Sequence, residues 1–421
     1  MHEHLSRKID RVVGAAVAGA GEVDFQKLFA HSVLAAPKPT VTLKMLVDDF
    51  MAHQHAKNAN TTPVSYHIPC RILLEVLGET ALIADITPAH IAKVCEALER
   101  VPTFSAQRFP GLTLLQATAK ADKERSPKRM SAHSVFKYYI SICAIFNFAK
   151  DSEWLEKCPT SGRRLKDRFG KKPRSKPTAH FTIEELNSIF RAPLYTGCID
   201  DEINFSKPGP NRPKRGRFWV PLLALFHGVR CNEACQLYAE DVKEDSGIPY
   251  LYIRTTLDDD EKAKDKNIKN ENSIRQVPLH PQIIKMGFLE FVKARRQEDS
   301  KARLFSEIKQ GKSTNRYSTY FSRWFTRFKQ HACGHQPKAR FHSLRHQFRT
   351  ALGNAGVPLE ITREICGWDD SESGMEKRYF LAHLKQLEVA VAKVSYEGLD
   401  LSHLVAPSPH IEKKQRVRYR P

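Results

Sequence analysis

His227-Gly228-Val229-Arg230-Cys231-Asn232-Glu233 sets an arginine inside an apolar segment, Trp219 to Leu237, that reads as a helix. Working outward, Tyr250 to Thr255 and Ser273 to Leu279 are rich in aromatic and β-branched residues and predict two short strands. A charged tip, Asp258 to Asn272, joins them as a long hairpin. Beyond Pro281 the pattern returns to helices over Ile283 to Arg296, Tyr317 to His331, Ser343 to Gly353, Pro358 to Cys366 and Leu384 to Val394. Upstream, Ile199 to Phe218 carries Pro208, Pro210 and Pro213 and reads as an inserted loop. At Thr182-Ile183-Glu184-Glu185 a hydroxyl and a carboxylate three residues apart can satisfy the free amides of a first helical turn, so a unit opens near residue 180.

Before it lies a basic stretch, Arg163, Arg164, Lys166, Arg168, Lys171, Lys172, Arg174 and Lys176, broken by Gly170, Pro173 and Pro177. Few apolar residues and many breakers make 161–179 a linker, either solvated or lying along phosphates. From 40 to 160 apolar residues recur at helical steps (Leu43, Leu46, Val47, Phe50; Val135, Tyr138, Tyr139, Ile142, Ile145, Phe146), which predicts a small helical domain. Between its later helices, Lys120, Lys123, Arg125, Lys128 and Arg129 fit a solvated loop or a phosphate-contacting edge. Residues 1–39 have no assignment, 180–400 form the second domain, and 401–421 are a tail ending in Lys413, Lys414, Arg416, Arg418 and Arg420.

The chain has 421 residues with 67 Lys and Arg against 47 Asp and Glu, a formal charge of +20 that attracts polyanions, with nucleic acid the leading partner and an anionic membrane a weaker one. No apolar run is long enough to span a bilayer, and the amino end lacks the Leu-rich centre of a secretory signal. Nine cysteines without a CxxC pair fit reduced, packed thiols, and the expected location is the cytoplasm, with the nucleoid.

Exchange of a phosphodiester by a protein nucleophile needs a hydroxyl, cations to neutralise the phosphorane, and an acid for the departing oxygen. Arg230 and Arg345 each offer a planar donor fork to phosphate oxygens. The ordered set of His227 to Glu233, Lys269, His342-Ser343-Leu344-Arg345-His346, Cys366-Gly367-Trp368 and Tyr379 resembles the motifs of the tyrosine recombinase (phage integrase) family. The resemblance covers 180–400 well and the helical domain, similar to the family's core-binding domain, less distinctively.

The fold it implies is mostly α with a small antiparallel sheet: a helical core-binding domain plus a mixed α/β catalytic domain, closing on DNA as a C-shaped clamp. Carried over by position, Arg230 and Arg345 bind the scissile phosphate, Glu233 orients Arg230, and His342 is a base or phosphate ligand. Lys269 protonates the leaving 5′ oxygen, although Lys262, Lys264 and Lys266 share the tip, and Trp368 stands where many members have His. Tyr379 attacks to form a 3′-phosphotyrosyl link, and His346 supports the HxxR helix. The implied activity is site-specific DNA recombination, with no metal, ATP or other cofactor. Expected partners are double-stranded DNA carrying recombination sites, a homotetramer on it, and accessory DNA-bending or directionality proteins, with no membrane.

Each residue alone also has a structural reading: Arg230 as a helix-end cation, Tyr379 as an amphipathic surface or core residue. Zinc held by His342 with His346, or by His227, Cys231 and Cys235, is weighed against packed thiols and hydrogen-bonded imidazoles, which are favoured. A type IB topoisomerase, a non-catalytic DNA-binding regulator and a metal-dependent nuclease are the rival functions.

Overall fold

The computed structural model describes residues 40–57, 62–125, 127–174, 177–254, 266, 273–299, 302–312, 314–368 and 383–405. Segment 1–39, Lys176, Lys262, Lys264, Lys269, Tyr379 and the basic residues of the tail lie outside them. The chain divides into two compact units, Met1–Ser175 and Lys176–Pro421.

The first unit is helical among its described residues: α1 (Leu43–Lys57), α2 (Thr62–Leu77), α3 (Pro88–Arg100), α4 (Ser105–Arg108), α5 (Leu114–Ala121), α6 (Ala132–Asp151) and α7 (Arg163–Phe169). The apolar steps do what their spacing dictates. Leu43, Leu46, Val47 and Phe50 of α1 meet Val135, Tyr139, Ile142, Ile145 and Phe146 of α6 in one core. Thr113 starts α5 by accepting from the Gln116 amide at 3.1 Å while Gln116 returns a bond to the Thr113 amide at 3.0 Å.

The linker reading needs correction here. Residues 163–169 form α7, because Leu165 and Phe169, four apart, fall on one face and bury themselves in the helical core. Arg168 is tied back to Glu96 at 2.7 Å and Glu99 at 3.1 Å. Arg163, Arg164, Lys171, Lys172 and Arg174 remain exposed.

The second unit runs α8 (Ile183–Phe190), α9 (Pro193–Thr196), α10 (Gly216–His227), α11 (Cys231–Cys235), β1 (Val242–Asp245), β2 (Ile248–Ile253), β3 (Arg275–Pro278), α12 (Pro281–Lys285), α13 (Phe288–Glu298), α14 (Ser318–Cys333), α15 (Phe341–Asn354), α16 (Leu359–Cys366) and α17 (Leu384–Ala392). Its sheet is antiparallel in the order β1-β2-β3, with Leu251 opposite Val277 and Ile253 opposite Arg275. Thr182 caps α8 through the Glu185 amide at 3.2 Å, the start read from sequence. The fold is therefore mostly helical with a small antiparallel sheet. Strand β1 was not anticipated.

Two expected helices are each divided by a glycine. Trp219 to Leu237 breaks at Gly228 (φ +61), and Ile283 to Arg296 breaks at Gly287 (φ +90), a backbone region open to glycine and costly for other residues. Helix α10 is buried nearly all round and packs along α15. Leu401 and Leu404 pack in the core of this unit, so the fold continues past residue 400 and the tail begins later than expected.

Candidate active site

Gly228 builds the site by ending α10. Its left-handed backbone turns the chain, and a Cβ there would stand 2.3 Å from Phe348 of α15, so only glycine lets the two helices approach. The turn delivers Arg230 to the start of α11. There Glu233, one turn on, accepts from the Arg230 amide at 2.8 Å and from its Nη1 at 2.5 Å. Arg230 is thus not in the middle of a long helix but at the head of a short one, aimed by the carboxylate that caps it.

The arginines converge on the carboxyl end of α16. Three successive carbonyls each accept from a different guanidinium: Ile365 from Arg275 Nε at 2.7 Å, Cys366 from Arg345 Nη2, and Gly367 from Arg230 Nη2 at 3.2 Å. These are carbonyls that a helix end leaves without intrahelical partners, at the negative end of its dipole. Arg345 also donates to the Gly228 carbonyl, which ties α15 to the turn after α10. Gly367 (φ +59) permits the convergence, since a Cβ there would meet Arg275 Cδ at 3.0 Å.

Glu233 joins two of these cations. It accepts from Arg230 at 2.5 Å and from Arg275 Nη2 at 2.8 Å, and its side chain is 2% exposed. Desolvation alone would raise its carboxyl pKa; Arg275, then Arg230 and Arg345, override that and hold it down to about 2. Arg345 has no such carboxylate partner among the described residues: desolvation, then Arg275 and Arg230, push it down to about 10. Among the described residues, three guanidiniums against one carboxylate leave a positive excess, which is a demand for an anion.

His342 stands on α15 one turn before Arg345. Desolvation of its packed side, then His346, Arg345 and Arg230, lower its pKa to about 4, with Glu233 opposing. The side chain nonetheless remains exposed to solvent. It is neutral at pH 7 and can accept a proton. His346 packs edge-on against it at 4.8 Å. Trp368 follows the α16 carbonyls, half-buried, with Arg349 4.3 Å and Arg345 6.0 Å from its ring centre.

Arg230, Glu233, His342, Arg345, His346 and Trp368 are therefore brought together, while Lys269 and Tyr379 lie outside the described residues. Arg275 and Ser273 were overlooked as site residues. Ser273 Oγ accepts from Arg230 Nη1 at 3.3 Å and its carbonyl from Arg275 at 2.8 Å. An arginine on the inward face of a strand, in step with Ser273 and Val277, is the signal that could have found it.

Lys266, one of the three alternative hairpin lysines, is paired with a carboxylate. Its ammonium lies 2.5 Å from Asp241 Oδ2, and Arg254 Nε lies 2.9 Å from Oδ1 of the same carboxylate. Among the described residues no group of three or more His, Cys, Asp or Glu side chains is placed to hold a metal. His227 accepts from the His280 amide at 2.9 Å, and Cys235 is buried.

Sequence comparison adds the deciding observation: residues 213–383, which contain all of these site residues, match the phage integrase family. This segment is a phage integrase family domain. The domain is that of a tyrosine recombinase, an enzyme of site-specific DNA recombination. The fold resembles the Tn1549 transposon integrase solved with transposon right end DNA, at 16% identity and a TM-score of 0.52 over 83% of this chain and 98% of that one. The same integrase with a circular intermediate DNA gives 16%, 0.52, 84% and 99%. A lambda integrase dimer on a COC′ core site gives 13%, 0.48, 82% and 100%. At such identities the likeness concerns the fold alone. No curated protein sequence matches the chain. No described helix is long and apolar enough to cross a membrane.

Proposed function

We propose that the integrase domain carries out recombination through Tyr379, whose phenol oxygen attacks the scissile phosphorus. The bond from phosphorus to the 5′ oxygen breaks, that oxygen takes a proton from Lys269, and a 3′-phosphotyrosyl link remains. A 5′ hydroxyl of the second strand then attacks the same phosphorus and expels the tyrosine. The link conserves the energy of the broken bond, so no ATP enters. His342, neutral at pH 7, accepts the phenol proton or hydrogen-bonds the phosphate. Trp368 offers its indole N–H to the phosphate and screens it from water.

The observation that carries the reading is the cluster of Arg230, Arg275 and Arg345, in which Glu233 is the one carboxylate paired with a guanidinium among the described residues. A pentavalent phosphorane gains negative charge, and a preorganised cationic pocket stabilises that gain with little reorganisation. Chain length supports Lys269 as the acid: it is four residues from Ser273, whose hydroxyl touches Arg230, a tether of roughly 14 Å at full extension.

In this reading 40–160 grips DNA, 180–400 cuts it, and the exposed Arg163, Arg164, Lys171, Lys172 and Arg174, with Lys176, follow the phosphates between. Rejoining of paired sites calls for a homotetramer on DNA. Accessory bending or directionality proteins and a place on the nucleoid belong to the same proposal.

The test is a nicked duplex carrying the recombination site, whose short cut fragment diffuses away and traps the enzyme on DNA. Tyr379→Phe should abolish the denaturation-resistant adduct and leave DNA affinity nearly unchanged. An adduct formed by that variant would overturn the assignment of the nucleophile.

A further inference from the structure

Phe104 combines two unfavourable features. Its side chain is 73% exposed, and its backbone is left-handed at φ 56, ψ 37, a conformation that a bulky L residue resists and glycine adopts freely. Neither feature is a loose end of the chain. Its carbonyl accepts from the Gln107 and Arg108 amides at 3.0 and 2.9 Å, and the neighbouring Thr103 amide and hydroxyl donate to the Lys128 carbonyl at 2.9 and 3.2 Å. The ring is held out to solvent by a fixed frame. Backbone strain of this kind clusters at functional contacts.

The surroundings say what the contact is. Residues 100–129 carry seven Lys and Arg but two acids, Asp122 and Glu124. Both acids are engaged: Asp122 by Arg100 at 2.6 Å and by Arg129, and Glu124 by Arg108 at 2.6 Å. Lys120, Lys123, Arg125 and Lys128 are exposed, and Lys128 holds the residue beside Phe104. An exposed apolar ring on a segment that also carries exposed cations suits a polyanion with an apolar interior better than a protein surface, whose contact centres are poor in charge.

We propose that Phe104 is a wedge that the helical unit inserts against the base stack of bound DNA, unstacking a step while the flanking cations hold the phosphates. The proposal rests on the recombinase reading and deepens it by naming a residue that senses DNA deformability.

Glycine suits the backbone at this position, so Phe104→Gly should keep or raise the melting temperature of the full chain, and a folding defect cannot mimic the result. On a duplex of the cut site, Phe104→Gly and Phe104→Ala should bind roughly ten-fold more weakly, whereas Phe104→Trp binds as the parent does. Permanganate reactivity of a thymine at the contacted step should appear with the parent and Phe104→Trp and vanish with Phe104→Gly. Unchanged affinity and reactivity in Phe104→Gly would overturn the wedge. So would loss of self-association with an unchanged DNA footprint, which would assign the ring to a second copy. At saturating protein Phe104→Gly should still form the covalent adduct; no adduct from the parent chain would sink the recombinase reading instead.

Discussion

The side chains at the centre of the integrase domain are chosen for charge placement more than for stability. Glu233 replaces water for both Arg230 and Arg275, and without it two buried guanidiniums would face each other unscreened. His342 responds to the same field. Its pKa is lowered from 6.5 to about 4, so the unfolded chain binds a proton there that the folded chain refuses. The sign follows: its contribution is fully present above pH 6.5 and is lost as pH falls toward about 4. Proton NMR of the His342 ring in the free protein should titrate with a midpoint near 4 and move upward when duplex DNA supplies a phosphate. A midpoint at the ordinary imidazole value would mean that the arginines do not act on this ring.

At the scale of elements, the site is made by ends rather than by helix faces. The end of α10 at Gly228, the start of α11 at Arg230, the start of α15 at His342 and the end of α16 at Gly367 meet, so unpaired backbone groups and cations satisfy one another. The sheet has its own anchor. Asp241, fully buried, accepts from Arg254, Lys266 and the Tyr238 amide, and so pins both sides of the connection between β2 and β3. Asp241→Asn keeps the shape and removes the charge that pairs with the buried Lys266 ammonium, which should cost about 3 to 5 kcal/mol. Urea unfolding of the full chain measures it; a loss below about 1 kcal/mol would show that solvent screens the cluster. The element boundaries were legible wherever caps and apolar steps marked them, as at Thr182 and along α1 and α6. They were misjudged at Gly228 and Gly287, where an apolar run continues through a backbone break, and at α7, where two apolar residues among many cations suffice to seat a helix.

Over the whole molecule the excess of +20 governs encounter with DNA. If about six phosphates are neutralised, affinity should fall roughly a thousand-fold between 50 and 200 mM salt. A filter-binding titration with a nearly flat salt response would contradict phosphate tracking by the exposed basic residues. Arg230, Glu233, His342, Arg345, His346 and Trp368, which the motif order and its family resemblance singled out, are residues that the fold brings together. Order along the chain was enough for most of the helices and for β2 and β3, since burial of one face imposes a period on the sequence. Arg275 became visible as a site residue only in three dimensions. Its role depends on Glu233, Ile365 and Gly367, which lie 42, 90 and 92 positions away in the chain. The same holds for Lys266, which one-dimensional register left among the rivals for the catalytic lysine and whose contact with Asp241 only the fold shows. Motif chemistry is local and can be written in sequence, whereas a buried charge is defined by whichever opposite charge the fold brings to it.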